Sequence, residues 1–146
     1  MEIRQAVFED LDSLVIIEES SFTTPWSKAA LGVELSVNDV ARYFVALEDG
    51  KIVGYGGMWI IVDEAHITNL AVLEAYRGQG LGKALIETLL KQAKAEKCRA
   101  ATLEVRVGNI VARRLYEKHG FAPVGIRPRY YADTNEDALI MWCMLE

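Results

Sequence analysis

Hydrophobic positions recur along this chain with two different periods, one typical of β-strands and one typical of α-helices. Apolar runs predict strands over residues 3–7, 42–47, 51–62, 64–72, 101–105, 122–126 and 138–145. Helical spacing predicts helices over 9–21, 27–36, 80–97 and 109–119, with Leu81, Leu85, Leu89 and Ala93 as the clearest apolar stripe. Asp49-Gly50 predicts a hairpin turn, and the glycines within 51–62 predict a bend or bulge. A polar loop up to residue 137 is expected to join the last two strands.

The order of these elements is strand, two helices, three strands, helix, strand, helix and two strands. This order predicts an α/β fold, with a mixed sheet covered by helices on its faces. The chain has 146 residues, of which 51% are hydrophobic and 25% charged, so it can bury a core of its own. We therefore expect residues 1–146 to form a single domain.

Charge and cysteine content narrow the possible partners. The net charge of −5 argues against a direct nucleic-acid partner. No apolar run is long enough to span a membrane, so we expect no membrane partner and a cytoplasmic location. Cys98 and Cys143 are too far apart for a CxxC motif, and no metal site is expected. The composition gives no indication of an oligomeric state.

The segment Arg77-Gly78-Gln79-Gly80-Leu81-Gly82 lies between a predicted strand and the longest predicted helix. The first N–H groups of a helix have no intrahelical partner and carry partial positive charge. A glycine-rich turn at this point therefore suits a phosphate or pyrophosphate, although it could also be a plain connection without a ligand. The spacing fits neither a P-loop, because Ala84 replaces the Ser or Thr that holds Mg²⁺, nor a Rossmann turn.

Several motifs spread over nearly the whole chain share one resemblance. They are Arg77-x-x-Gly80-x-Gly82, Asn69-Leu70-Ala71-Val72, Leu103-Glu104-Val105-Arg106, Asn109-x-x-Ala112-x-x-Leu115-Tyr116-x-x-x-Gly120-Phe121, Pro25-Trp26-Ser27, and Tyr130-Tyr131 with Glu136-Asp137-Ala138. Together they resemble the GNAT superfamily of acyl-CoA N-acetyltransferases, and within it the ribosomal-protein-alanine branch. The resemblance implies a GNAT-like fold of about seven mostly antiparallel strands, with about four helices on both faces.

The resemblance also implies which residues bind the co-substrate, acetyl-CoA. Main-chain groups of Leu70, Ala71 and Val72 would pair with the pantetheine arm. The pyrophosphate would lie on the turn formed by Gly78, Gln79, Gly80, Leu81, Gly82 and Lys83, with positive charge from Arg77 and Lys83. Asn109 would hydrogen-bond the cofactor arm, and it can equally be a plain helix N-cap.

Acetyl transfer from a thioester to an amine needs a base and an acid. Glu104 is the candidate base, since it is the one charge within the apolar run 101–105. We expect partial burial there, which raises a carboxyl pKa in general and would suit the role; the alternative is an edge-strand glutamate in solvent or paired with Arg106. Tyr116 is the candidate acid that protonates the departing thiolate. The alternative is an aromatic side chain that packs on the inner face of its helix.

The acceptor is implied to be a protein N-terminus, the N-terminal alanine of a small-subunit ribosomal protein. Trp26, Tyr130 and Tyr131 could line a groove for it, because loops on a rigid scaffold often carry recognition. Two alternatives stay open. One is acetylation of a lysine side chain or a small-molecule amine, and the other is a non-catalytic acyl-CoA-binding module.

Overall fold

Seven strands form one mixed sheet in the computed structural model, which describes residues 1–145. The strands are β1 Glu2–Gln5, β2 Ala41–Glu48, β3 Lys51–Ile61, β4 Glu64–Val72, β5 Ala100–Arg106, β6 Ala122–Tyr131 and β7 Glu136–Met144. They lie in the order β1-β2-β3-β4-β5-β7-β6, and only the neighbours β4 and β5 run parallel. The mixed, mostly antiparallel sheet predicted from the sequence is confirmed.

Helices cover both faces of this sheet. They are α1 Leu11–Ser21, α2 Lys28–Ser36, α3 Leu81–Ala95 and α4 Ile110–Lys118. α1 and α2 pack on the face that carries Tyr43 and Tyr55, whereas α3 and α4 pack on the face that carries Met58 and Leu103. No helix within residues 1–145 is long and apolar enough to cross a membrane.

The sheet opens between its two parallel strands. β4 and β5 are paired only at their beginnings, where Glu64, Ala65 and His66 face Ala100, Ala101 and Thr102. Beyond these positions the strands separate, and the register of β4 against β3 shifts by one residue between Gly57 and Met58. The open wedge between the two strands positions the candidate site described below.

The glycines of β3 permit close packing on both faces of the sheet. A Cβ atom on Gly57 would lie 2.4 Å from the Tyr43 ring, so only glycine leaves room for that ring. A Cβ atom on Gly56 would lie 3.1 Å from Leu89 of α3. The irregularity predicted in this strand is confirmed by the shift at Gly57, and the close approach of Tyr43 gives a physical reason for the glycine.

The prediction of a polar loop up to residue 137 is wrong. Pro128, Arg129, Tyr130 and Tyr131 belong to β6, and only 132–135 connect it to β7. β6 is an edge strand that is exposed along most of its length, and its register shifts between Arg127 and Tyr131. An exposed edge strand with an irregular register needs no apolar alternation, so its sequence resembles a loop.

The first helix begins differently from the prediction. A short 3-10 turn, Phe8–Asp10, precedes α1, and the buried Asp10 carboxylate ends that turn. Its two oxygens accept hydrogen bonds from both terminal nitrogens of Arg4 on β1, at 2.8 and 3.0 Å. The backbone N–H of Val7 also donates to Asp10, at 2.8 Å. The guanidinium of Arg4 is the main reason that the pKa of Asp10 is lowered.

Candidate active site

A cavity of about 630 Å³ fills the wedge between β4 and β5. The two diverging strands form its inner walls. The connection between α1 and α2, the beginning of α4 and the β6–β7 hairpin complete its lining. Side chains from distant parts of the sequence therefore meet here because the sheet separates at this point.

The glycine-rich turn lies after β4 and leads directly into α3. Gly78 and Gly80 have φ values of 77° and 86°, in the left-handed region that favours glycine. The first intrahelical bond runs from the N–H of Ala84 to the carbonyl of Gly80 at 3.0 Å, so the N–H groups of the preceding three helix residues are free of intrahelical partners. A Cβ atom on Gly78 or Gly80 would meet nothing within 4 Å. Exposed donors and open space above them fit a pyrophosphate.

Residues Leu70, Ala71 and Val72 lie at the end of β4, beyond the last position where β5 pairs with it. All three pair with β3, and the alternation of the strand turns the peptide groups of Leu70 and Val72 away from β3, with Leu70 lining the cavity. The Val72 carbonyl accepts a hydrogen bond from Nε of Arg77 at 2.9 Å, which ties the turn to the strand. Lys83 is exposed at the beginning of α3. This arrangement fits an extended arm along β4 that ends in a pyrophosphate at the turn.

Tyr116 is buried on α4 and lines the cavity. Its ring packs edge-on against Phe121 at 5.8 Å between centroids. Among residues 1–145 its hydroxyl has no hydrogen-bond partner. Burial raises the pKa of Tyr116 above its ordinary value, so the phenol is protonated at neutral pH as an unperturbed tyrosine is.

Glu104 also lines the cavity, but its surroundings differ from those predicted. The partial burial expected for its side chain holds, because that side chain is 31% exposed, although the residue taken whole is exposed. Its carboxylate is paired with Nε of Arg127 on β6 at 3.0 Å, and Arg106 instead pairs with Asp133. β5 is an interior strand, whose alternate residues Leu103 and Val105 face α3 and α4 while Glu104 points away from them. The alternation of the strand explains this placement.

The three aromatic residues predicted for the acceptor groove, Trp26, Tyr130 and Tyr131, all line the cavity. The two tyrosine rings meet edge-on at 5.1 Å, and Arg106 lies over the Tyr131 ring at 4.1 Å. Burial raises the pKa of Tyr131 to about 12. The wall therefore combines aromatic surface with a guanidinium whose charge is balanced by Asp133.

Asn109 begins α4 as its N-cap, and its side-chain oxygen accepts from the N–H of Ala112 at 3.2 Å. The N-cap predicted from the sequence is confirmed. Asn109 also lines the cavity, so a bond to the cofactor arm stays a prediction compatible with the cap.

Sequence reasoning missed a bridge across the mouth of the cavity. Arg106 donates to both carboxylate oxygens of Asp133 at 2.8 and 2.9 Å, and Thr23 donates to the same carboxylate. These hydrogen bonds lower the pKa of Asp133, and the bond from Arg106 has the largest effect. The bridge joins the α1–α2 connection to the β6–β7 hairpin. Its members are far apart in the chain, and no local pattern reveals the pairing.

Sequence reasoning also missed Glu18 as a cavity residue. It lies at a helical position otherwise occupied by apolar residues, and it is 2% exposed. Its carboxylate accepts from the backbone N–H of Trp26 at 2.9 Å and from the hydroxyl of Tyr55. A charged residue on the inward face of α1 was the signal that could have identified it, because buried carboxylates require partners.

A sequence profile of the acetyltransferase (GNAT) family matches residues 11–121, and the chain belongs to this family. It is an N-acetyltransferase with acetyl-CoA as co-substrate, as the resemblance in its motifs predicts.

Three proteins illustrate its similarity to individual members. A Bacillus subtilis protein, named as a candidate ribosomal protein bS18-alanine N-acetyltransferase, is 47% identical over 140 residues, which cover 96% of this chain and 93% of that protein. The ribosomal protein bS18-alanine N-acetyltransferase of Haemophilus influenzae is 37% identical over 93% of each chain. The crystal structure of the ribosomal-protein-S18-alanine N-acetyltransferase of Escherichia coli matches with a TM-score of 0.92 at 32% identity, over 99% of this chain and 94% of that one.

Proposed function

We propose that this protein acetylates the N-terminal α-amino group of another protein, the N-terminal alanine of ribosomal protein bS18. The observation that carries this proposal is the cavity between β4 and β5, with Glu104 and Tyr116 in its lining. The relatives named as bS18-alanine N-acetyltransferases, which match over nearly the whole chain, support the choice of acceptor.

The ordinary acidity of amines favours an N-terminus over a lysine. The nucleophile must be a neutral amine, and the pKa is about 7.7–8.0 for an α-amine but about 10.4 for lysine. At pH 7, deprotonation costs about 1.4 kcal/mol for the α-amine and about 4.6 kcal/mol for lysine. A single carboxylate, acting directly or through water, can meet the smaller cost.

In this proposal, some residues bind acetyl-CoA and two others transfer protons. The acetyl donor is held by the backbone of Leu70, Ala71 and Val72, by the turn from Arg77 to Lys83, and by Asn109. Glu104 accepts the proton that the amine loses as its nitrogen bonds to the acetyl carbon. Tyr116 gives a proton to the sulfur as the thioester bond breaks. The phenol can fill this role because it lines the cavity and, with an ordinary pKa of about 10, carries its proton at neutral pH.

Competition between acceptors tests the proposal. The enzyme is given labelled acetyl-CoA with three amines at equal concentration, namely a peptide with the N-terminal sequence of bS18, an N-blocked peptide that contains lysine, and a polyamine. We expect the label on the α-amine of the first peptide, located by mass spectrometry. Preference for the blocked peptide or the polyamine would refute the proposal, and absence of any transfer would favour a non-catalytic acyl-CoA-binding module.

A further inference from the structure

A chain of buried hydrogen bonds runs from the acceptor wall of the cavity to β4. Glu18 accepts from the backbone N–H of Trp26 at 2.9 Å with one carboxylate oxygen and from the Tyr55 hydroxyl with the other. The oxygen of Tyr55 in turn accepts from Nδ2 of Asn69 at 3.3 Å. Asn69 lies on β4 directly before Leu70, at the proposed site for the cofactor arm. One phenol thus connects the two sides of the cavity.

The connected groups are shielded from water. Tyr55 is 0% exposed and Asn69 5% exposed, so the bonds of Tyr55 to Glu18 and Asn69 form in surroundings of low dielectric and are costly to lose, whereas the bond from Trp26 is partly buried. Trp26 lies in the connection between α1 and α2, which has no regular secondary structure. Its bond to Glu18 therefore fixes to the core a segment that lacks hydrogen bonds of a helix or a strand.

We infer that Glu18 and Tyr55 are positioning residues for acetyl transfer. They hold the Trp26 segment at a fixed distance from β4, and so set the approach of the acceptor amine to the thioester carbonyl. This inference rests on the proposed function, because it takes the Trp26 segment to be part of the acceptor site. An error of about 1 Å in such an approach can cost on the order of 10²-fold in rate.

The same network supplies a matched control in Tyr43. Its ring stacks on that of Tyr55 at 6.2 Å with 12° between the planes, and its hydroxyl lies 2.9 Å from both Asn69 and Glu34. Tyr43 is buried to almost the same extent, but it makes no bond to Glu18 and does not line the cavity. Loss of its hydroxyl takes one bond from Asn69 and perturbs the core, but it leaves the bonds of Glu18 to Trp26 and Tyr55 in place.

The experiment compares Tyr55→Phe, Glu18→Met and Tyr43→Phe in the full chain. The thioether in Glu18→Met has nearly the length of the native side chain but offers no strong acceptor to Trp26 or Tyr55. We expect Tyr55→Phe and Glu18→Met each to lower kcat/KM for the acceptor by about tenfold. The Kd of CoA should stay within about twofold of wild type in both, because the groups that bind it are untouched.

Tyr43→Phe should lower the Tm by a similar amount but keep kcat/KM within about threefold. An equal loss of activity in Tyr43→Phe would overturn the inference, since general loosening of the core would then explain all three variants. Unchanged kcat/KM in Glu18→Met would also overturn it, and this variant decides the question if Tyr55→Phe does not fold. The comparison uses whichever amine the wild-type enzyme prefers, so its result is separate from the identity of the acceptor.

Discussion

The two candidate proton-transfer residues have opposite surroundings. Tyr116 is buried and its hydroxyl is unpaired among residues 1–145, whereas the side chain of Glu104 is 31% exposed and paired with Arg127. The Arg127 side of this ion pair is open to solvent, so we expect the pair to contribute little free energy and to separate when an acceptor enters. Arg127 is thus a neighbour whose effect can be tested apart from that of the carboxylate.

Glu104→Gln should lower kcat/KM for the acceptor peptide by about 10²-fold, because the base is lost while the shape of the side chain is kept. The deficit should be largest at low pH, where the free amine is scarce. Arg127→Gln breaks the same ion pair but keeps the carboxylate, and should stay within about threefold of wild type. A pH–rate profile of the three proteins checks this, and a ratio that is constant across pH would count against a base role.

At the scale of single elements, the glycine-rich turn and α3 were predictable because local residues determine both. The apolar stripe of α3 and the glycines before it act within a few residues of each other. β6 was not predictable in the same way, because its pairing with β7 determines it and its side chains are exposed. The partner of Glu104 was not predictable either, since the sequence does not show that β6 brings Arg127 beside it.

Gly80→Ala tests the turn at the beginning of α3. The substitution forces an L-residue into a left-handed conformation, at a cost of about 1–2 kcal/mol, and places a methyl group beside the exposed helix amides. We expect the Kd of CoA, measured by calorimetry, to rise about tenfold.

Gly50→Ala is the control for this change. Gly50 has a φ of 78° in the β2–β3 hairpin, and a Cβ atom there also meets nothing within 4 Å. The two variants should therefore lose similar stability, but Gly50→Ala should bind CoA like the wild type. If Gly80→Ala binds CoA unchanged as well, the turn does not hold the pyrophosphate.

At the scale of the whole molecule, the fold class, the strand count and the split of helices between two faces were predictable from element order and resemblance. The wedge between β4 and β5 was not, because nothing in either strand marks where their pairing ends. The contacts across that wedge, such as Thr23 with Asp133, join residues 110 positions apart. Such pairs follow from tertiary packing. The spacing of hydrophobic residues along the sequence predicts helices and strands but not these pairs.

The stability of the whole chain should depend on pH through Asp10. Its pKa is lower in the folded protein than in the unfolded chain, where it is about 4. The stabilisation by Arg4 is therefore complete above about pH 4 and is lost as the pH falls through the lower, folded pKa. Arg4→Gln should reduce the free energy of unfolding by about 1 kcal/mol at pH 7, and the difference from wild type should shrink in acid.

Urea unfolding from pH 7 down to pH 2 measures this difference. Lys28→Gln serves as the control, because Lys28 and Asp12 form an ion pair that is open to solvent on both sides. It should unfold like the wild type at every pH. A deficit in Arg4→Gln that persists undiminished in acid would mean that packing of the arginine stem, and not its charge, supports Asp10.

The outer edge of β4 bears on which amino-acid substitutions this enzyme can accept there. Leu70 and Val72 turn their peptide groups away from β3, because the alternation of the strand directs those of Ala71 towards it, and every amino acid except proline offers both groups alike. The cofactor arm proposed for this edge would therefore be recognised by main-chain geometry and not by side-chain identity. In a saturation library at these positions, we therefore expect variants to be lost because they do not fold, and not because their substrate preference changes. Proline is the exception, since it removes a backbone N–H donor.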